Sequence, residues 1–439
     1  MKFYDRNTEI QLLRKLREQS FSSHSRMTVL TGRRRIGKTL LLREALSDQK
    51  HLYLFVSKSS EAILCQVFCR EAAQALGIFV PPINDFDNLF RFLMEEGRRQ
   101  AYTLIIDEFQ ELESVNPAIF SQIQNYWDQY RLSTHINFVV SGSAYSMMQH
   151  IFTDRKEPLF GRADRTIHLQ PFSTSILKEI LHDHAPNYQS DDLLALYTFT
   201  GGVPKYIELM IDNGAFTVSD MIANICQQDS PFINEGRSML IQEFGKKYNT
   251  YFSILQAIAN GFNTQSKLEG IMPATSIGGY LKKLEDTYNL IEKRRPILAK
   301  PGSQTVRYAI KDTFLNFWFR YIDGNQSLVE LGNYSALNDI ILDDYPTFSG
   351  KTLERYFIQQ LTESMKYSNI GSWWENKGDQ NEIDIVALGL KNGEALVAEV
   401  KRQRKNFKPD LLKEKISLLK SKVLPHHKIE SVCLTLDDM

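Results

Sequence analysis

Apolar residues over positions 1–240 fall into short runs that alternate with longer helical stripes. Met27-Thr28-Val29-Leu30 is a short β-prone run, and Leu40-Leu41-Leu42-Arg43-Glu44-Ala45-Leu46 is strongly helical. Leu104-Ile105-Ile106 and Ile136-Asn137-Phe138-Val139-Val140 are further runs of the length of buried parallel strands. Strands alternating with helices predict an α/β fold, a parallel sheet with helices on both faces, completed by a helical lid.

The texture changes after residue 245. Tyr251–Ala259 predicts a helix, Thr264-Gln265-Ser266-Lys267-Leu268-Glu269 a second one capped by Thr264. A third is capped by Thr275 or Ser276, with Ile277, Tyr280, Leu281 and Leu284 on one face. Leu290–Arg295 and Thr305–Ile310 predict two strands around the loop Lys300-Pro301-Gly302-Ser303. Three helices followed by a ribbon is the order of a winged helix-turn-helix. There Lys282, Lys283, Lys293, Arg294 and Arg295 would meet phosphates, or the module would serve as a lid or protein contact. The aromatic run Phe314–Phe319, with Trp318, predicts a packed helix joining domains.

Residues 350–439 predict a second mixed α/β unit. Leu353–Leu361 reads as a helix, residues 370–375, 382–388 and 395–401 as strands, 409–421 as a helix and Ser431–Thr435 as a last strand. Asn392-Gly393 signals a tight hairpin between the second and third of these strands.

A length of 439 residues suggests two to four domains. An apolar content of 43% and a charged content of 24% fit a globular protein with sizeable cores. Zero formal net charge means that any nucleic-acid surface must be local, for which Lys401-Arg402-Gln403-Arg404-Lys405 is one candidate. Cys65, Cys69, Cys226 and Cys433 show no zinc-ligand spacing, and Cys65 and Cys69 are expected in the core. No run approaches membrane-spanning length and no signal-peptide pattern is present, so a reduced, cytoplasmic protein without membrane contact is expected.

Candidate chemistry is concentrated in two places. Gly32-Arg33-Arg34-Arg35-Ile36-Gly37-Lys38-Thr39 is a complete G-x-x-x-x-G-K-[ST] loop between a strand and a helix, the latter continuing through Leu40. Its backbone N–H groups would cradle phosphates at the helix N-terminus, Lys38 would reach the β- and γ-phosphates and the Thr39 hydroxyl would ligate Mg²⁺. The strand Leu104–Ile106 ends in Asp107, expected on the Mg²⁺ side, and Glu108, expected to orient the attacking water. Ser141 and Ser143 end the next strand, suited to sensing a γ-phosphate. Arg162 can serve as an arginine finger, in cis or from a neighbouring subunit, or it is a surface arginine paired with Asp164 or Glu157. A finger in trans would require a homo-oligomer.

The order and spacing of Phe3-Tyr4-Asp5-Arg6, Thr31–Thr39, Leu104–Gln110, Ser141-Gly142-Ser143, Leu159–Arg162 and Gly201-Gly202-Val203-Pro204 resemble the archaeal-type ATPases of the AAA+/STAND group. The resemblance covers residues 1–240 and implies ATP and Mg²⁺ as cofactors. It also implies Arg6 near the adenine, Ser141 or Ser143 as first sensor, Arg162 as finger candidate, and Gly202-Val203-Pro204 closing over the base or ribose.

The second place is the pair of predicted strands carrying Asp384, Glu399 and Lys401. Residues two apart on a strand face one side, so Glu399 and Lys401 share a face and a hairpin can bring Asp384 alongside. Two carboxylates can hold Mg²⁺, and the lysine can orient water or steady phosphate charge. The alternatives are a solvated hairpin face with cross-strand ion pairs, or a nuclease fold that binds DNA without cutting it. This pattern resembles the PD-(D/E)XK, restriction-endonuclease-like core, with Glu354 implied as a further acid on the first helix. The proline usual before the first aspartate is absent, Ile383 standing there.

The expected organisation is an ATPase core over 1–170, a lid over 171–245, a winged helix over 246–325 and a nuclease-like domain over 326–439. The expected function is an ATPase gating a metal-dependent DNA-binding or DNA-cleaving domain. The alternative is a slow nucleotide switch whose C-terminal domains are interaction modules for DNA or protein.

Overall fold

The computed structural model describes residues 1–439 apart from 245–247, 274, 301, 376–380 and 392 and the side chain of Gln242. Asn392 of the predicted hairpin signal, Pro301 of the predicted loop and the expected lid boundary at 245 therefore lie outside the described residues. The chain divides into two compact units, Asp5–Gln170 and Met1–Tyr4 with Pro171–Met439.

The first unit is built on five parallel strands: β1 (Arg26–Gly32), β2 (His51–Phe55), β3 (Tyr102–Asp107), β4 (Ile136–Gly142) and β5 (Arg165–Leu169). Their order is β2-β3-β4-β1-β5. Strands β1, β3 and β4 are almost wholly buried, which is why they read as continuous apolar runs rather than alternating ones. Phe90, Trp127 and Phe138 pack in the core on one side of the sheet, together with Cys65 and Cys69. Parallel strands all point one way, so the ends of β1, β3 and β4 open on a single edge, where ligands meet such sheets.

In the second unit, five helices from Thr174 to Phe244 precede three more, Tyr248–Ala259, Gln265–Ile271 and Gly278–Lys282, the last extended by a wider turn to Thr287. Thr264 caps the second of these three as expected, its hydroxyl accepting from Lys267 N–H at 3.4 Å. Neither Thr275 nor Ser276 caps the third. That helix starts at Gly278, behind Ile277, whose side chain is fully buried; burial of the apolar residue sets the start in place of a polar cap. An antiparallel ribbon follows, β6 (Ile291–Arg294) with β7 (Arg307–Ile310). Trp318 packs as expected, its indole N–H donating to Ile233 O at 2.9 Å.

The helix Tyr334–Glu363 leads into a mixed sheet of β8 (Tyr367–Trp373), β9 (Ile383–Gly389), β10 (Glu394–Val400) and β11 (Lys428–Leu434), ordered β11-β10-β9-β8. β8/β9 and β9/β10 are antiparallel, β10/β11 parallel, and the helix Pro409–Lys422 makes the crossover between β10 and β11. Ile297, from the loop between β6 and β7, belongs to the hydrophobic core of this sheet with Trp373, Ile383 and Leu419. Its backbone N–H donates to Ser372 O at 2.8 Å. Among the described residues no helix is long and apolar enough to cross a membrane.

Candidate functional site: a phosphate-binding loop and a buried carboxylate cluster

The loop between β1 and the helix Lys38–Leu46 is shaped by its two glycines. A Cβ on Gly32 would lie 2.9 Å from Leu169 O, and Gly37 adopts φ +92° at the helix entry. Arg35 holds φ +67° between them, a left-handed conformation uncommon for a side-chain-bearing residue. The Lys38 ammonium folds back onto the loop, donating to Gly32 O at 2.9 Å and Arg33 O at 3.3 Å. Burial pushes its pKa down, against the pull of Glu108 and Asp107. Arg33, Arg34 and Arg35 are half-buried, Ile36 is buried in the core and Leu40 is exposed.

Asp107 is the hub of the strand ends. Its Oδ2 accepts from Thr39 Oγ1 at 2.9 Å and from the Tyr53 hydroxyl at 2.6 Å, and its Oδ1 accepts from Ser141 Oγ and from Glu108 N–H at 3.0 Å. Burial alone would raise this carboxyl; the three hydroxyls outweigh it and hold Asp107 below the usual carboxylate range. The oxygen donors Thr39 and Asp107, hydrogen-bonded to one another, suit a hard cation such as Mg²⁺ and would hold it. Tyr53 was not singled out from the sequence. It reaches Asp107 because β2 lies beside β3, an adjacency that no local pattern encodes.

Glu108 sits at φ +53° beyond the end of β3. Its carboxylate accepts from Ser143 Oγ at 2.8 Å and from Gln110 Nε2 at 2.6 Å. The two serines thus divide between the two acids, Ser141 on Asp107 and Ser143 on Glu108. Arg6 is buried, with Nη2 donating to Gln170 O at 2.7 Å, one residue past the strand that packs on Gly32.

Arg162 is paired, but with neither expected acid. It meets Asp128 at 2.7 Å and donates to Pro158 O at 2.7 Å. Asp164 is taken by Met27 N–H at 2.8 Å and Glu157 by His150 at 3.0 Å. An exposed pair such as Arg162–Asp128 is worth about 0.2–1 kcal/mol, so it does not lock the arginine. Pro204 opens the helix Pro204–Asp212 in the second unit, behind Gly201 and Gly202.

Also in the second unit, the helix Tyr334–Glu363, β9 and β10 bring Glu354, Asp384, Glu399 and Lys401 together. Asp384 Oδ2 accepts from Val400 N–H at 2.8 Å and lies 3.7 Å from Lys401 Nζ. Lys401 Nζ donates to Glu399 Oε1 at 2.9 Å. Burial, then the charge of Glu399, raises the Asp384 carboxyl. Glu354 is pushed up to about 7 by burial, an effect that Asp384 reinforces and Lys351, 3.0 Å away, opposes. A cation binding there would therefore displace a proton near neutral pH.

Lys415 was not singled out from the sequence either. Its buried ammonium donates to both oxygens of Glu399 at 3.2 Å. It comes from the helix Pro409–Lys422, where Leu412, Lys415 and Leu419 form the buried stripe. A lysine on an apolar stripe was a legible signal. The donor set of Asp384 and Glu399 consists of hard oxygens and fits Mg²⁺. The cation would, however, share Glu399 with two ammoniums. Among the described residues no group of three or more histidine, cysteine, aspartate or glutamate side chains is arranged to hold a metal.

Residues 3–210 match the model of an ATPase domain found predominantly in Archaea. Residues 318–414 match a model of archaeal and bacterial proteins of unknown function. An uncharacterised protein of Methanocaldococcus jannaschii is 29% identical over 408 residues, which span 91% of this chain and 87% of that protein. A Walker-type ATPase of Pyrococcus abyssi superposes with a TM-score of 0.55 at 18% identity, over 72% of this chain and 96% of that one, a likeness of fold. The phosphate loop, the buried lysine and the strand-end acids on one sheet edge thus lie in a segment, residues 3–210, that matches an ATPase domain model in sequence and a Walker-type ATPase in fold.

Proposed function

We propose that ATP turnover in the first unit controls a metal-dependent DNA-binding or DNA-cleaving centre in the second. The observation that carries this reading is the convergence of Glu354, Asp384, Glu399 and Lys401 from one helix and two strands of an α-βββ-α-β unit. That element order resembles PD-(D/E)XK nucleases, and the three helices with the β6/β7 ribbon resemble a winged helix. A polar groove of about 960 Å³ joins the two, lined among others by Thr264, Lys267, Lys293, Arg307 and Lys351. Glu269, Glu375 and Glu382 line it as well, with Arg307 held by Glu382 at 2.8 Å and Lys351 by Glu354 at 3.0 Å, so Lys267 and Lys293 are the cations that suit a phosphate backbone. Of the ribbon's basic cluster, Arg294 is engaged with Glu292 at 2.6 Å, so Lys293 is better placed than Arg294 to meet a strand.

In the first unit, Lys38 and the loop N–H groups bind the phosphates, Thr39 and Asp107 would hold Mg²⁺, Glu108 orients the attacking water and Ser143 orients Glu108. Bound Mg²⁺ supplies neutralisation of phosphate charge. Arg162 is the finger candidate, in cis or in trans, Arg6 borders the nucleoside, and Ser141 steadies Asp107. In the second unit, Asp384 and Glu399 would hold the cation, Glu354 assists as a further acid, and Lys401 steadies charge on the phosphate.

The test is cleavage of single- and double-stranded DNA with Mg²⁺ or Mn²⁺, with and without ATP, alongside Asp384→Ala. Cleavage lost in the variant and dependent on ATP is the expected result. DNA binding without cleavage under either metal would sink the nuclease reading.

The hold of Lys415 on Glu399 favours a second reading, a nucleotide switch whose C-terminal centre binds DNA without cutting. Lys415→Met is expected to tighten Mn²⁺ binding on the order of tenfold, because it removes an ammonium from the ligand carboxylate. Calorimetric titration with Mn²⁺ reads this directly. Weaker binding in the variant would instead make Lys415 a positioning residue for Glu399.

A further inference from the structure

A second cavity, of about 340 Å³, lies between the ribbon strand β6 and the helix Tyr334–Glu363. Arg294, Arg295, Arg355, Gln359, Ser372 and Trp374 are among the residues that line it. We infer that this cavity is a binding site for a phosphate monoester.

The charge balance is the first argument. Three guanidinium groups face the cavity and one carboxylate, Glu292, answers them, which leaves two positive charges over. Arg294 donates to Glu292 Oε1 at 2.6 Å, and Arg355 Nη2 donates to Ile310 O at 2.5 Å and Lys311 O at 3.0 Å and lies 3.4 Å from the same Glu292 oxygen, carbonyl contacts that leave its positive charge unneutralised. Among the described residues Arg295 has no hydrogen bond or ion pair, and the Arg355 side chain is only 15% exposed. Glu363, the next carboxylate along the helix, is taken up by Thr174 N–H at 3.1 Å. Surplus charge in a partly enclosed place is costly until an anion joins it. A phosphate monoester carries about −1.5 to −2 charges near neutral pH, which matches the surplus.

Shape is the second argument. Guanidinium forks suit phosphate oxygens, and a cavity of about 340 Å³ has room for an attached sugar and base. Position is the third. Arg355 follows Glu354 directly, and Ser372 Oγ donates to the backbone oxygen of Asp384 at 2.8 Å. An occupant would therefore touch neighbours of two acids in the carboxylate cluster. The phosphate can come from the 5′ end of a nucleic-acid strand or from a free mononucleotide. Only the first source rests on the proposed function.

The test uses the full chain carrying Lys38→Ala, so that the loop of the first unit does not contribute. Fluorescence anisotropy compares a 3′-labelled single-stranded DNA oligonucleotide bearing a 5′-phosphate with the same strand bearing a 5′-hydroxyl, and calorimetry measures AMP. The expected result is binding about tenfold tighter with the 5′-phosphate, competition by AMP, and loss of both with Arg295→Gln or Arg355→Gln. Circular dichroism reports whether the Arg355 variant folds; the exposed Arg295 decides alone if it does not. AMP binding that depends on Arg295, without a 5′-phosphate preference, supports the site with a free mononucleotide as its occupant. Binding of both probes that is indifferent to Arg295 and Arg355, or no binding of either, overturns the inference.

Discussion

Lys38→Ala is expected to abolish measurable ATP binding. The ammonium lies along the loop, resting on Gly32 O and Arg33 O at 2.9 and 3.3 Å. Those carbonyl contacts are weaker partners than phosphate oxygens, so a nucleotide draws the lysine away. Charge-assisted hydrogen bonds contribute about 1.5–3 kcal/mol each, and losing two of them weakens affinity by roughly a hundredfold or more. Titration calorimetry with ATP and Mg²⁺ measures this. The upward shift in melting temperature that ATP gives the unaltered chain should vanish as well. Retained tight binding in the variant would remove the phosphate role of Lys38.

The second large effect is expected from Glu108→Gln, which should keep nucleotide binding and stop turnover. The substituted amide is the same size and can still accept from Ser143, so the φ +53° corner at this position has little reason to move. What disappears is the negative charge that orients and polarises a water. Removing a positioned general base costs about 10²- to 10⁴-fold in rate. Phosphate release at saturating ATP, beside the calorimetric affinity, separates the two quantities. Normal turnover would take the base assignment away from Glu108. A fall in affinity as large as the fall in rate would make it a binding residue.

The parts of the fold and site that could be read from the sequence are those whose physics is local. Residues 32–39 are contiguous, so motif and loop coincide, and Asp107-Glu108 closes an apolar run where a strand must end. The order of elements from Tyr251 to Ile310 and from Leu353 to Thr435 followed from periodicity in the same way. Partners that come from sheet order were out of reach. Tyr53 meets Asp107 only because β2 neighbours β3, and Ser141 does so because β4 lies between β1 and β3. The third helix of the 248–310 segment shows tertiary structure overriding a local preference. Two hydroxyl residues offered caps, and buried Ile277 placed the start beyond both. Arg294 shows what a cluster of basic letters leaves out: the partner it has in Glu292, two residues back on the same strand. Lys415 could have been read, since a cation between Leu412 and Leu419 interrupts an apolar stripe.

The seat of Ile297 in the core of the β8–β11 sheet bears on how this half of the chain can be inherited. A protein that received the sheet without the ribbon loop would open a hole where Ile297 sits, at a cost of about 1.5–3 kcal/mol in lost burial, and would leave Ser372 O short of a backbone partner. Recombination between relatives inside the ribbon-plus-sheet block should therefore be penalised. The two should travel together through gene shuffling, and substitutions at Ile297 should be matched by compensating changes at Trp373 or Leu419.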